Sequence, residues 1–250
     1  MTNPTQSLSN KVALVTGGSR SIGAAIAKRL AADGAAVALT YSSSPENAQE
    51  VVHHIQQAGG KAIAIKADAG NSAEVKAAVE QTINAFGQLD ILVNNAGTAI
   101  VKNLADFTLD DFDRIVDVNI KGVFVAIQEA SKYLQHGGRI INIGSINSDY
   151  VPYAGGALYV LTKAAIAGLT KALARDLGPR GITINNVQPG PTDTDMNPAD
   201  GEFARHARSY IALERYAHVD EIADSVAYLA SPGASYITGA NIAVDGGYSA

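Results

Sequence analysis

The sequence contains no cysteine. That absence excludes disulfides, thiolate zinc sites and cysteine nucleophiles together, so any chemistry rests on hydroxyl, amine, imidazole or carboxylate groups. Of the five histidines, His53 and His54 are adjacent, which on a helix points them about 100° apart, while His136, His206 and His218 are scattered. No metal-ligand spacing results, and no metal site is expected. A basic stripe is also missing: the formal net charge is −5 and the charges are spread along the chain, which disfavours nucleic acid as a partner. No apolar run is long enough to span a bilayer, and the opening MTNPTQSLSN has neither a charged nor an apolar signal region. A cytoplasmic protein that does not engage a membrane is therefore expected. Linkers, repeats and low-complexity tracts are absent as well. With 47% hydrophobic and 17% charged residues over 250 positions, the chain reads as a weakly ordered tail at 1–10 followed by one domain at 11–250.

What is present is an alternation. Short β-rich runs at 11–16, 36–41, 61–67, 89–96, 138–145 and 181–188 are separated by helical patterns at 22–33, 46–58, 72–86, 108–135 and 157–177. A further helix at 219–230 and the strand in ANIAVDGG close the chain. Strands joined by helices imply right-handed crossovers and a parallel sheet. Because these strands are apolar on both faces, helices should cover both sides, giving a doubly wound α/β fold of seven parallel strands. Thr108 followed by Asp111 reads as a helix N-cap. The stretch 189–217, rich in proline and glycine at its start, breaks the alternation and is expected to be a substrate loop carrying a short helix.

Ligands of such sheets lie at the carboxyl ends of the strands. The first strand ends directly before TGGSRSIG at 16–23, where glycines permit a tight turn and let the backbone and the next helix's N-terminus meet a pyrophosphate. Ser21 stands where such a loop normally carries its middle glycine. At the start of a right-handed helix a negative φ is expected there, with the hydroxyl capping a first-turn N–H or donating to the pyrophosphate. Tyr159 and Lys163 lie one helical turn apart on one face. Ser145 ends one strand, NNAG at 94–97 ends another, and Asn119 sits in the helix that follows.

Taken together with Asp68, the Pro189-Gly190 pair and the terminal ITGANIAVDGG, these motifs resemble the short-chain dehydrogenase/reductase family over the chain from Lys11 onward, in the branch similar to 3-oxoacyl-carrier-protein reductases and related carbonyl reductases. The resemblance implies Tyr159 as general acid, Ser145 as the group that binds the substrate carbonyl, and Lys163 as the cation that lowers the tyrosine pKa and holds the nicotinamide ribose. It implies Asn119 as the holder of a water that links Lys163 to solvent. A cofactor would run along Gly17, Ser19, Arg20, Ser21, Ile22 and Gly23, past Tyr41, Ser42 and Ser43, beside Asp68, Ala69, Asn95, Ala96 and Gly97, to Tyr159 and Lys163. Pro189, Gly190, Thr192 and Thr194 would border its nicotinamide. The resemblance also implies a homotetramer built on the long helices and the terminal strand.

The second strand ends in Tyr41, Ser42 and Ser43, without the acid that holds the ribose of NAD, and Arg20 is available for a 2′-phosphate, so NADPH/NADP+ is the expected cofactor. Ser145 and Tyr159 stand fourteen apart where many relatives have thirteen, and the additional residue falls in INSDYVPYAGG. Asn147, Tyr150, Val151 and Tyr153 from that loop are expected to line the substrate pocket with Ser145 and Tyr159. The expected reaction is reduction of a ketone or β-keto compound, a small-molecule carbonyl substrate, to a secondary alcohol. Two alternatives remain open: a 3-oxoacyl-carrier-protein reductase of fatty-acid synthesis, and a catalytically silent dinucleotide-binding sensor.

Overall fold

The computed structural model describes residues 7–250. Its strands are β1 (Val12–Val15), β2 (Ala36–Tyr41), β3 (Lys61–Lys66), β4 (Ile91–Asn94), β5 (Arg139–Ile143), β6 (Thr183–Pro189) and β7 (Asn241–Val244). They form one seven-stranded parallel sheet in the order β3-β2-β1-β4-β5-β6-β7. The intervening helices are α1 (Ser21–Ala32), α2 (Pro45–Gln57), α3 (Ser72–Phe86), α4 (Leu109–Val116), α5 (Gly122–Ala130), α6 (Ala157–Leu177), α7 (Glu202–Arg208) and α8 (Val219–Ala230).

The apolar strands have two cores because their alternating side chains enter different layers. Ala13 and Val15 pack with α1, α2 and α8, whereas Leu14 between them packs with α3, α5 and α6. Ile91 and Val93 against Leu92 repeat that division one strand away. Burying these side chains is the main favourable term of folding, about 1.5–3 kcal/mol for each large one. The strand order reverses between β1 and β4, so the crevice expected to take a ligand opens above their carboxyl ends.

Local signals fix the helix ends. Asn71 accepts N–H bonds from Ala73 and Glu74 to start α3, which stops at the left-handed Gly87. Thr108 and Asp111 form a reciprocal capping box at the start of α4. The single helix expected over 108–135 is in fact interrupted: Asp117–Lys121 form a π turn between α4 and α5, and α5 ends at Ala130. Arg180 takes up the carbonyls of Ser131 and Leu134 at 2.7 and 2.8 Å, so the chain after α5 turns instead of continuing.

The N-terminal expectation is corrected in part. Residues 1–6 lie outside the described residues, but Leu8 is 2% exposed and its N–H donates to the Asp33 carbonyl at 2.8 Å. An apolar side chain in the α1 core anchors what the polar sequence around it presents as a tail. The 189–217 loop carries its short helix, α7, over a small third core of Ile146, Ile211, Tyr216 and Tyr248.

Candidate active site

The glycine loop is built by close backbone approach. Gly17 has φ +64°, and a Cβ there would lie 2.9 Å from the Ala96 Cα. A Cβ on Gly23 would fall 2.2 Å from the Gly17 carbonyl oxygen. Asn95 clasps the turn: its Nδ2 donates to the carbonyls of Thr16 and Gly17, both at 2.9 Å. Thr16 Oγ1 accepts from the N–H groups of Asn95 and Ala96 at 3.0 Å. The Asn95 amide nitrogen is thus committed to the loop, and Thr16 organises the β1–β4 seam.

Ser21 overturns the expectation made for it. Its φ is +48°, the left-handed region, because the turn must reverse sharply after the extended Arg20 at φ −157°. A serine in that conformation carries strain of about 1 kcal/mol. Arg20, not Ser21, is the N-cap residue of α1, and it makes no side-chain cap bond. The Ser21 hydroxyl instead accepts the Asp195 N–H at 3.4 Å. The neighbouring Arg20 guanidinium stands 3.7 Å from the Asp195 carboxylate, and both side chains are exposed. Ser19 and Ile22 are partly accessible beside them.

At the end of β2, Tyr41 is half-buried and Ser42 and Ser43 are exposed. The Gly18 N–H donates to the Thr40 carbonyl at 2.9 Å, which brings the glycine loop and the β2 end together. Asp68 follows β3, but its carboxylate pairs with Arg114 at 3.1 Å and accepts the Gly70 N–H, which together hold its pKa below the usual carboxylate value. Ala69 approaches Gly122, where a Cβ would fall 2.1 Å from the Ala69 carbonyl oxygen. Pro189 ends β6, and Gly190 passes close enough to Asp245 to exclude a Cβ. Thr192 is buried with its hydroxyl on the Gly190 carbonyl at 3.0 Å, and Thr194 pairs with Asn197.

Ser145, Tyr159 and Lys163 converge beyond the carboxyl end of β5. Ser145 and Tyr159 share a side-chain hydrogen bond. Lys163 Nζ lies 5.6 Å from the centroid of the Tyr159 ring and donates to the Ile143 carbonyl at 2.8 Å. Burial lowers Lys163 to about 8. Burial likewise pushes the Tyr159 phenol up to about 12, opposed by the Ser145 bond. In the protein alone, desolvation is the largest influence on the phenol.

Asn119 lies in the π turn, which rotates it into the core. Its Oδ1 accepts the Thr98 N–H at 2.8 Å, and its Nδ2 donates to the Thr98 carbonyl at 2.8 Å and to Thr162 Oγ1 at 3.0 Å. Thr162 donates in turn to the Tyr159 carbonyl at 2.8 Å. The Asn119 amide therefore braces the tyrosine-bearing helix. A Cβ on Gly97 would sit 3.5 Å from Asn119 Oδ1 and 3.6 Å from Lys163 Nζ, so Gly97 lies between the two. Of the expected pocket residues, Asn147 bonds Ser145, Tyr153 bonds Asn147, Val151 is 44% exposed, and Tyr150 stacks edge-on against Tyr248 at 5.5 Å.

Residues 17–249 match the family model described as enoyl-(acyl carrier protein) reductase. The chain belongs to the short-chain dehydrogenase/reductase family, whose members are oxidoreductases. It is 43% identical over 240 residues to the cyclic-di-GMP-binding biofilm dispersal mediator protein of Escherichia coli, covering 96% of this chain and 98% of that one. It is 44% identical over 240 residues to a 3-oxoacyl-[acyl-carrier-protein] reductase of Staphylococcus aureus, covering 95% and 97%. Among solved structures, a short-chain dehydrogenase of Burkholderia cenocepacia in complex with NADP superposes with a TM-score of 0.96 at 53% identity, covering 97% of this chain and 99% of that one.

Proposed function

We propose that the protein is an NADPH-dependent carbonyl reductase that converts a ketone or β-keto compound to a secondary alcohol. The convergence of Ser145, Tyr159 and Lys163 at one strand end carries the reading. A hydride arriving at the carbonyl carbon leaves an alkoxide, Ser145 binds the developing charge, and Tyr159 is placed to give the proton. NADPH supplies that hydride when bound. The cradled glycine turn fits its pyrophosphate, the acid-free β2 end fits its 2′-phosphate, and the Burkholderia relative is a complex with NADP. Asp68, with Arg114 beside it, would border the adenine. Thr192 and Thr194 would border the nicotinamide. A homotetramer working in the cytoplasm is part of the proposal, and the assembly is supported by Phe112, Phe124 and Leu161 left exposed on α4, α5 and α6 and by Tyr228 exposed on α8 and Tyr236 exposed after it.

The titration of the site gives a pH dependence with a definite sign. Tyr159, pushed up to about 12, remains the protonated acid through the neutral range. Lys163, lowered to about 8, carries its charge below that pH and loses it above. The kcat/KM for reduction is expected to be level at neutral pH and to fall as pH rises through about 8. A profile still level at pH 10 would contradict the lysine's role.

Ser21→Gly removes left-handed strain at the expense of one long hydrogen bond. Its thermal midpoint is expected to rise by roughly 2–4 °C, the equivalent of about 1 kcal/mol in a domain of this size. NADPH affinity should change by no more than about tenfold. A lowered midpoint would mean that the Asp195 contact outweighs the strain.

One observation favours a second reading. The Escherichia coli relative's name describes a nucleotide-binding mediator, which fits a protein of this fold that binds without turning over. Steady-state NADPH consumption with ketones, β-keto esters and 3-oxoacyl thioesters separates the readings. Turnover of the first two classes supports the proposal, preference for acyl thioesters points to fatty-acid synthesis, and binding without turnover points to the mediator.

A further inference from the structure

The loop between Ser145 and Tyr159 does more than enclose space. Asn147 holds Ser145 at two points: its backbone N–H donates to Ser145 Oγ at 3.1 Å, and its Oδ1 accepts the serine O–H at 3.3 Å. The carboxamide is itself fixed at both ends. Its Nδ2 donates to the Tyr150 carbonyl at 2.9 Å, and the Tyr153 phenol donates to its Oδ1 at 3.2 Å. With both ends engaged, the amide cannot turn over to present Nδ2 to the serine.

A hydroxyl has one proton and two lone pairs. The Asn147 N–H occupies one lone pair of Ser145, and the serine proton points to Asn147 Oδ1. The serine proton then has two destinations, Asn147 Oδ1 and a carbonyl oxygen entering the site. The accepted bond from Asn147 also polarises the O–H and strengthens it as a donor.

The backbone is shaped to bring Tyr153 to this place. A Cβ on Gly156 would meet the Tyr153 ring at 2.7 Å from Cε2 and 3.1 Å from the hydroxyl oxygen. Gly155 has φ +86°, a turn that L side chains rarely adopt. The Gly155-Gly156 pair thus opens the room in which the ring lies.

We propose that Asn147 and Tyr153 are positioning residues for Ser145: Asn147 Oδ1 holds the serine proton at rest and yields it to the incoming carbonyl, and Tyr153 fixes Asn147 for that exchange. The proposal rests on the reductase reading. It assigns the length of this loop a task in the reaction, and it separates Tyr153, aimed at Asn147, from Tyr150, which packs on Tyr248.

The test is a double-mutant cycle on kcat with NADPH and a ketone that the wild-type protein reduces. Asn147→Ala and Tyr153→Phe are each expected to lower kcat by about tenfold, with the NADPH dissociation constant unchanged. On a Ser145→Ala background each should add less than about twofold, because the group they orient is gone. Gly156→Ala, which crowds the Tyr153 ring and its hydroxyl, should reproduce Tyr153→Phe and add nothing to it. Full additive losses on the Ser145→Ala background, or wild-type kcat in both single variants, overturn the proposal while the reductase reading stands. A wild-type protein that reduces no carbonyl overturns both.

Discussion

Tyr159→Phe is expected to lower ketone reduction by at least about a hundredfold while leaving NADPH binding in place, since losing a general acid costs 10²- to 10⁴-fold. The substitution keeps the ring that packs between Ser145 and Lys163 and removes only the oxygen. No other phenol replaces it: Tyr153 donates to Asn147, and Tyr150 is stacked against Tyr248. The phenol's pKa of about 12 makes it a proton source at any neutral pH, and it is better matched to an alkoxide than water-exposed acids would be. Single-turnover mixing of the NADPH complex with ketone reads the chemical step apart from product release. Near-normal turnover in the variant would remove Tyr159 from the mechanism.

Ser42→Asp is expected to reduce kcat/KM with NADPH by about a hundredfold, an effect of about 3 kcal/mol, and to change the value with NADH only a few-fold. Ser42 is exposed at the end of β2, and the backbone bond from Gly18 to Thr40 holds that end beside the turn carrying Arg20. A carboxylate there would face a 2′-phosphate at short range, where like charges repel by several kcal/mol at the dielectric of a protein surface. With NADH the same carboxylate would accept bonds from the free ribose hydroxyls. Salt should narrow the difference between the two cofactors. Equal losses with both would place the phosphate elsewhere.

The fold was legible in the sequence because each strand carries apolar residues on both faces, and only a sheet covered on both sides accommodates that. Thr108 and Asp111 marked a helix start because a capping box is local. The π turn at Asn119 was not legible, since what stabilises it lies at Thr98 and Thr162, far away in sequence. Asp68's partner Arg114 was not legible for the same reason, since it arrives from α4. Leu8 looked like part of a polar tail, because one apolar residue has no period. At Ser21 a local rule misled. Helix starts favour negative φ, but the preceding extended Arg20 and the tight glycine turn force this one positive. Ser145, Tyr159 and Lys163 were readable as a group because two lie on one helix face and the third ends the neighbouring strand. What the sequence did not disclose was Asn147's double hold on the serine, which depends on the shape of a loop.

The most direct test of hydride transfer is the isotopic composition of the alcohol formed from a ketone and NADPH deuterated at both C4 positions of the nicotinamide. The proposed mechanism predicts one deuterium on the carbinol carbon of the product, formed by the wild-type protein and lost at least about a hundredfold in rate by Tyr159→Phe. An alcohol without the label, or bound NADPH that survives unchanged with every carbonyl offered, would contradict it.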